Sequence, residues 1–433
     1  MRAAIFRDGE IVVDQVSEPK PAEGQVLVKT LACGICGSDL HARKHARRMV
    51  ELSRHFPLRK PMDLTRDVVF GHEFCCEVLD YGPATARKLK PGTRVCSLPA
   101  LLTPQGPQGI GYSNDNIGGY AERMLLSEAL LLEVPNGLAA EHAALTEPLA
   151  VGIHAVARAN VRGDEVPLVI GCGPVGLAVI AGLKLKGLHP IIAADYSPVR
   201  RRLAQRLGAD VVVDPAHTQP YASWAEHAAM SEEQKAARPP MQAWLPALKP
   251  ALIFECVGVP GLIQQVFEGA PRDARIVVVG VCMETDRSEP MLGILKELSV
   301  QYVLGYTPDE FANSLRLIAE GEVDAASMVT ATVGIDGVAG AFTDLPIRKP
   351  TPRSSSSPGV DSSGGEGEGP VAFATNIHLT YRQPALFAFC LEPHLYKTSC
   401  VYTPRNWGYC GASLRSNDRL STFLRQEPRG FGV

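Results

Sequence analysis

The alternation of apolar and polar positions changes its period near residue 148. Before it, short apolar runs such as EIVV (10–13), QVLVKT (25–30) and CCEVLDYG (75–82) are broken by Gly, Pro, Asp and Asn. Runs of this length between turn residues predict strands, so residues 1–148 read as a small β-rich, turn-rich domain. From about 149 to 304 apolar strands alternate with helical stretches. The runs VPLVIG, PIIAAD, DVVVD, ALIFECVG, RIVVVGVC and VQYVLGY supply six strands, as expected of a doubly wound parallel sheet in an α/β protein. Between Asp214 and Ala251 the chain is longer and richer in Pro and Ala than such a sheet requires, which predicts a surface elaboration. After Tyr306 comes a helix signal: Thr307 caps, Pro308 takes the first helical position and Glu310 reaches back. The helix PDEFANSLRLIAEG then shows Phe311, Leu315 and Ile318 on one face and stops at Gly321. Residues 305–346 are expected to return to the first domain.

The first strand of the second half runs straight into GCGPVG (171–176), and the apolar LAVIAGLKLKG follows. A GxGxxG at a strand-to-helix turn, with an acid about 20 residues on, is the dinucleotide fingerprint. Gly171 permits the tight turn, Gly173 lets the backbone approach a pyrophosphate, and Gly176 lets the helix lie close to the sheet. Pro174 and Val175 open the helix, whose N-terminus faces the phosphate charge. Asp195, at the end of PIIAAD, accepts a ribose 2′-hydroxyl and repels a 2′-phosphate, so NAD is expected over NADP. Arg200, Arg201 and Arg202 argue the other way. They lie on the following helix rather than at the strand tip; Arg201 and Arg202 read as solvated helix face, and Arg200 is kept among the cofactor-binding positions.

Three segments far apart carry the remaining chemistry: CGSDLH (36–41), GHE (71–73) and EPLAVGIHA from Glu147. They offer one thiolate, one imidazole and one carboxylate, the donor types of a catalytic zinc that keeps one position open. A metal site and a dinucleotide site in one chain read as metal-assisted hydride transfer. At these residues the chain resembles the zinc-dependent medium-chain dehydrogenases, over roughly residues 1 to 345. EPLAVGIHA is similar to the sorbitol and butanediol branch. The resemblance implies a GroES-like fold for the first domain, and zinc held by Cys36, His72 and Glu147. It also implies a proton relay of Ser38 and His41, Asp39 orienting His72, and Glu73 beside the metal. The expected activity is oxidation of an alcohol, secondary or polyol, to a ketone or aldehyde with NAD, by a homodimer or homotetramer. Zinc-free quinone or enoyl reductases share the fold but lack these ligands and relay residues. A non-catalytic NAD-binding protein is the alternative from another class.

Plainer roles are expected for other residues. Cys33 with Cys36 forms a CxxC, but no second CxxC follows, and Cys33 reads as a small buried hydrophobe. Cys75 and Cys76 point to opposite faces of a strand and read as packing. His154 reads as a satisfied structural histidine. Relatives with a second, structural zinc carry four closely spaced cysteines, whereas Cys96 is the only cysteine between Cys76 and Cys172, so one catalytic zinc and no structural zinc is expected. The stretch SLPALLTPQGPQGIGYSNDNIGGYAE, rich in Gly, Pro and Asn, reads as a loop over the sheet edge. The basic segment after the relay, ARKHARRMVELSRHFPLRKPMDLTRD, reads as a solvated helix and loop, with reception of an anionic substrate as the sharper alternative.

Composition narrows the partners. At 433 residues, 45% hydrophobic and a formal net charge of −3, the chain is ordinary for a soluble multidomain enzyme and is not expected to bind nucleic acid. MRAAIFRDGEIVV alternates like a strand, so neither signal peptide nor anchor is expected, and no run of about 18 apolar residues is present to span a membrane. Eleven cysteines without a secretory signal point to a reducing cytoplasm. The pattern breaks at about Pro346, where IRKPTPRSSSSPGVDSSGGEGEGP opens a low-complexity tail, 347–433, expected to be loop without a catalytic group. Back-translation of LPIRKPTPRSSSSPG with permitted codons, read from the third base of the Leu345 codon, spells ADPEAHAKILVEPG, which is similar to the family's usual closing strand. A frameshift therefore explains the tail better than a disordered or accessory extension. It predicts a catalytic sheet left with an unpaired edge.

Overall fold

The computed structural model describes residues 1–55, 60–344 and a strand at 385–388. The chain opens with an antiparallel hairpin, β1 (Arg2–Arg7) and β2 (Glu10–Gln15), turned at Asp8-Gly9, both at positive φ as a two-residue hairpin demands. The long β3 (Gln25–Ile35) is the spine of the β-rich half. It leads into helix α1 (Gly37–Ser53) and, past residues 56–59, to β4 (Phe74–Tyr81), which pairs with it antiparallel. Strands β5 (Arg94–Ser97), β6 (Ala100–Thr103), β7 (Gly106–Gly109), β8 (Arg123–Ser127) and β9 (Leu131–Glu133) follow. Because β3 alternates inward and outward, Val26 and Val28 enter a core with Ile5, Val78, Met124 and Leu126.

Short helix α2 (Ala140–Ala143) and α3 (Thr146–Arg158) lead to the second half. Its strands are β10 (Val166–Ile170), β11 (Ile192–Ala194), β12 (Val211–Val213), β13 (Ala251–Glu255), β14 (Arg275–Val278) and β15 (Ser299–Tyr302). All pair in parallel, in the order β12-β11-β10-β13-β14-β15. This is the Rossmann order, with the switch point beside β10. Between them run α4 (Pro174–Leu185), α5 (Pro198–Leu207), α6 (Pro220–His227), α7 (Glu232–Ala236), α8 (Leu262–Gly269) and α9 (Pro290–Leu295). The six expected strands are all present. The elaboration at 214–250 forms α6 and α7, and it leaves Met241 and Trp244 largely exposed.

Helix α10 (Pro308–Ala319) carries the expected capping box: Glu310 N–H donates to Thr307 Oγ1 (3.2 Å), and Thr307 N–H donates to Glu310 Oε2 (2.7 Å). Phe311, Leu315 and Ile318 are buried along it. Helix α11 (Val338–Asp344) then puts Val338, Ala341 and Phe342 into the core of the β-rich half.

Two expectations are corrected. The stretch 97–122 is not all loop, since β6 and β7 close a hairpin across Pro104-Gln105, with Gly106 at φ +108 relieving the turn. The tail is not all loop either: β16 (Ala385–Ala388) runs parallel to β3 opposite Ala32 to Ile35, so that edge is paired. An open strand edge accepts a short apolar extended segment through its backbone alone, and ALFA is one. The remainder of 347–433 lies outside the described residues. Among the described residues no helix is long and apolar enough to cross a membrane.

Candidate metal and cofactor site

Register assembles the first part of the site. Cys33 in β3 lies opposite Phe74 in β4, and Gly34 N–H donates to the Glu73 carbonyl (2.7 Å). The chain leaving β3 and the chain entering β4 therefore meet, which sets Cys36 beside His72 and Glu73. Gly71 makes the approach possible: it sits at φ +99, and a Cβ there would meet Tyr120 Cδ1 at 2.7 Å and Cys33 Sγ at 2.9 Å. Cys36, His72 and Glu73 are all buried, with one donor atom of each within 4.8 Å of the others. Zinc bonds of about 2.0–2.3 Å put tetrahedral ligands inside that separation, so soft sulfur, imidazole and carboxylate here fit the ion.

Cys36 also caps α1. Its Sγ accepts the Ser38 N–H (3.3 Å), and Asp39 Oδ2 accepts the Cys36 N–H (3.0 Å), which closes a capping box. Asp39 is fully buried and lies 3.6 Å from His72 Nδ1 through Oδ1. It accepts further hydrogen bonds from Tyr120 Oη (2.6 Å) and Tyr112 Oη (2.6 Å). The Tyr112 ring also packs on that of His72, 5.3 Å between centroids. Neither tyrosine stands out in the sequence, because nothing local marks a phenol that closes on a carboxylate some 70 to 80 residues earlier.

Glu147, expected as the third ligand, is not among the three grouped donors; Glu73, expected beside the metal, is. Glu73 follows His72 directly and shares its approach, whereas Glu147 arrives on α3. Its Oε1 accepts from Tyr306 Oη (2.9 Å), and its buried Oε2 has no hydrogen-bond partner among the described residues. Burial pushes the Glu147 carboxyl up to about 7, against the pull of His72 and the Tyr306 hydrogen bond. A buried carboxylate oxygen without a donor is costly, and a nearby cation relieves it.

The expected relay pair is only partly assembled. Ser38 Oγ lies 2.8 Å from Cys36 Sγ and 2.6 Å from Tyr112 Oη. His41 makes no hydrogen bond to Ser38; its Nδ1 has no hydrogen-bond partner among the described residues, and its ring stacks on His45, 6.1 Å away. Burial, helped by His45 and Lys44, pushes His41 down to about 4. The basic segment answers its own charge. Arg43 pairs with Glu10, Arg48 with Glu51, and Lys60 and Arg66 with Asp115, as a solvated face does.

The glycine turn stands at the switch point. Gly171 has φ +90, and a Cβ on Gly176 would lie 1.8 Å from the Gly171 carbonyl oxygen. A Cβ on Gly173 would meet nothing within 4 Å, so that face is open to a ligand. Gly173 caps α4, with Pro174 and Val175 in its first turn. Asp195 Oδ2 accepts the Cys172 N–H (2.9 Å) and Oδ1 the Ser197 N–H (2.7 Å), which fixes the carboxylate against the glycine turn. Arg200 stands 3.7 Å from it. Arg201 is not a solvated residue: it donates to the Asp195 and Tyr196 carbonyls and pairs with Asp214 at 2.9 Å, because the helix start points it back over the strand end. Arg202 is exposed.

The other assignments resolve into structure. His154 Nδ1 is 2.9 Å from Glu310 Oε2. Cys75 and Cys76 enter different clusters on opposite faces of β4, and Cys33 is buried.

A β-rich half bearing a buried sulfur, imidazole and carboxylate set, joined to a parallel sheet with a glycine turn, defines an oxidoreductase of the alcohol dehydrogenase type. Comparison agrees. An alcohol dehydrogenase GroES-like domain is matched over residues 22–136 and a zinc-binding dehydrogenase domain over 174–320. The (R,R)-butanediol dehydrogenase of Bacillus subtilis (strain 168) is 31% identical over 347 residues, 78% of this chain and 93% of that one. Human sorbitol dehydrogenase is 26% identical over 346 residues, covering 77% and 89%. The crystal structure of 2R,3R-butanediol dehydrogenase from Bacillus subtilis superposes with a TM-score of 0.64 at 30% identity, covering 79% of this chain and 95% of that one. The chain belongs to the zinc-type medium-chain dehydrogenase family.

Proposed function

We propose that the protein oxidises a secondary alcohol or polyol to the ketone or aldehyde, with zinc at Cys36, His72 and Glu73 and NAD at the glycine turn. The observation that carries this reading is the buried Cys36, His72 and Glu73 group, a donor set with the chemistry and spacing of a catalytic zinc. Zinc there would polarise an alcohol oxygen as a Lewis acid, and a nicotinamide ring would take the hydride. The chain's own groups handle the proton. Ser38, beside the sulfur of Cys36, accepts it from the alcohol as its own hydroxyl proton is released. His41, held neutral near pH 7 by burial, is the base that receives the released proton toward solvent; the two share no direct hydrogen bond, and a bound cofactor's ribose would bridge them. Glu147 adds a buried carboxylate that balances the cation.

Asp195 supports NAD. Fixed against the glycine turn, its carboxylate suits a ribose diol and repels a 2′-phosphate, although Arg200 beside it tempers that repulsion. A structure assigned as a zinc-binding dehydrogenase from Sinorhizobium meliloti 1021, 27% identical with a TM-score of 0.61, is bound to NADP, so the choice rests on this chain's own residues. The test is metal analysis with an NAD and NADP reduction assay over secondary alcohols, diols, polyols and threonine. The expected result is zinc-dependent reduction of NAD in preference to NADP, and in Asp195→Ala a preference narrowed by about 1–3 kcal/mol. No reduction of either cofactor by any alcohol would overturn the reading. An unchanged ratio in Asp195→Ala would remove Asp195 from cofactor choice.

Assembly as a homo-oligomer is part of the same reading. Strand β15 is an edge of the parallel sheet and exposes Val300 and Tyr302, and Met291, Ile294 and Leu295 of α9 are more than half exposed. A second copy pairing across that edge covers both. Sedimentation should give at least a dimer; a monomer at micromolar concentration counts against it.

A further inference from the structure

Three short contacts at the relay serine share too few protons. Ser38 Oγ reaches Cys36 Sγ (2.8 Å) and Tyr112 Oη (2.6 Å), and Tyr112 Oη reaches Asp39 Oδ1 (2.6 Å). Ser38 and Tyr112 carry one hydroxyl proton each. The Asp39 carboxylate accepts, so the proton of Tyr112 is spent on it, and the tyrosine oxygen can meet Ser38 only as an acceptor. Ser38 must then choose between the sulfur of Cys36 and the oxygen of Tyr112.

We infer that Tyr112 is a positioning residue: it draws the Ser38 hydroxyl proton away from the Cys36 sulfur and leaves a serine lone pair aimed at the substrate alcohol. This rests on the proposed alcohol oxidation. Before the proton moves, the donors run one way, alcohol to Ser38 to Tyr112 to Asp39, and each bond polarises the next; this chain orients Ser38 and carries no proton to Asp39, the released proton going to His41. Without Tyr112 the serine proton falls back on the Cys36 sulfur, and the serine has no fixed direction. The geometry supports a dedicated role. Tyr112 packs on Phe70 and His72, which holds its ring, while the second phenol on Asp39, Tyr120, touches Asp39 and Gly34 and makes no hydrogen bond to Ser38.

Tyr112→Phe and Tyr120→Phe each remove one hydroxyl from Asp39, and only the first removes it from Ser38. In Tyr112→Phe, kcat should fall about tenfold to a hundredfold with the alcohol KM within twofold, and the solvent deuterium isotope effect on kcat should rise. The second readout needs neither substrate nor cofactor. In cobalt(II)-substituted protein the sulfur-to-metal charge-transfer band should move to shorter wavelength in Tyr112→Phe, because the sulfur gains the serine proton as a hydrogen bond. The shift should vanish in Ser38→Ala/Tyr112→Phe and be absent in Tyr120→Phe. Equal behaviour of the two tyrosine variants, or a Tyr112→Phe protein with wild-type kcat, isotope effect and band position, would overturn the inference. An inactive wild-type protein whose cobalt band still shifts would instead overturn the alcohol oxidation reading and leave the hydrogen-bond assignment standing.

Discussion

Cys36→Ser is expected to abolish both metal binding and turnover, the largest effect of any single substitution in this chain. A serine hydroxyl is a poor zinc ligand at neutral pH, whereas the cysteine sulfur binds as the thiolate. The change also weakens the cap of α1, since Cys36 Sγ accepts the Ser38 N–H. Loss of a Lewis acid worth several kcal/mol corresponds to a rate deficit of about a thousandfold or more. Metal analysis after dialysis should find one zinc per chain in the wild type and in Cys33→Ser, and none in Cys36→Ser. Cys33 lies only three residues away, but its sulfur packs beneath Gly71 and Gly119. The two glutamates separate in the same measurement. Glu73→Gln should weaken zinc by a larger factor than Glu147→Gln, which removes only a balancing charge, a contrast that follows from which carboxylate stands among the grouped donors. Zinc retained by Cys36→Ser, or two zincs per chain, would refute the assignment.

The contrast between those glutamates shows where sequence reading stops. Strand and helix identities follow from period, so all six parallel strands, the glycine turn at 171–176 and the Thr307/Glu310 capping box are legible residue by residue. Local placement is legible for the same reason: Cys36 stands at the start of α1, and Asp195 follows β11 and accepts from the glycine turn. Distances between remote segments are not. Whether Glu73 or Glu147 completes the donor set depends on where α3 brings Glu147 relative to the start of β4. Tyr112, Tyr120 and Tyr306 are invisible because a phenol carries no positional signal until its acceptor is known. The Gly and Pro of the β6–β7 hairpin mark its turn but do not say that two short strands flank it. A helix wheel puts Arg201 on the solvated face because it cannot see the strand end beneath it.

Sequencing the gene across the Leu345 codon is expected to show a displaced reading frame, and restoring it should stabilise the protein. The edge of β3 at Ala32 to Ile35 takes one more strand, immediately before Cys36, and β16 occupies it with only four residues. The alternative frame supplies ADPEAHAKILVEPG directly after α11, in which ILV is an apolar run of the kind that closes a half-buried sheet. Two such side chains on the buried face, at about 1.5–3 kcal/mol each, contribute several kcal/mol, enough to raise Tm by several degrees. A strand tied to β3 also steadies the end from which Cys36 projects, so zinc affinity should rise with stability. The two chains, one ending as given and one carrying ADPEAHAKILVEPG after Asp344, can be compared by calorimetry, light scattering and chelator competition. The restored chain is expected to melt higher, associate less and hold zinc more tightly. An intact frame on resequencing, with a 347–433 segment that resists protease and is needed for the melting temperature, would show instead that the tail is native and that β16 is its docking strand.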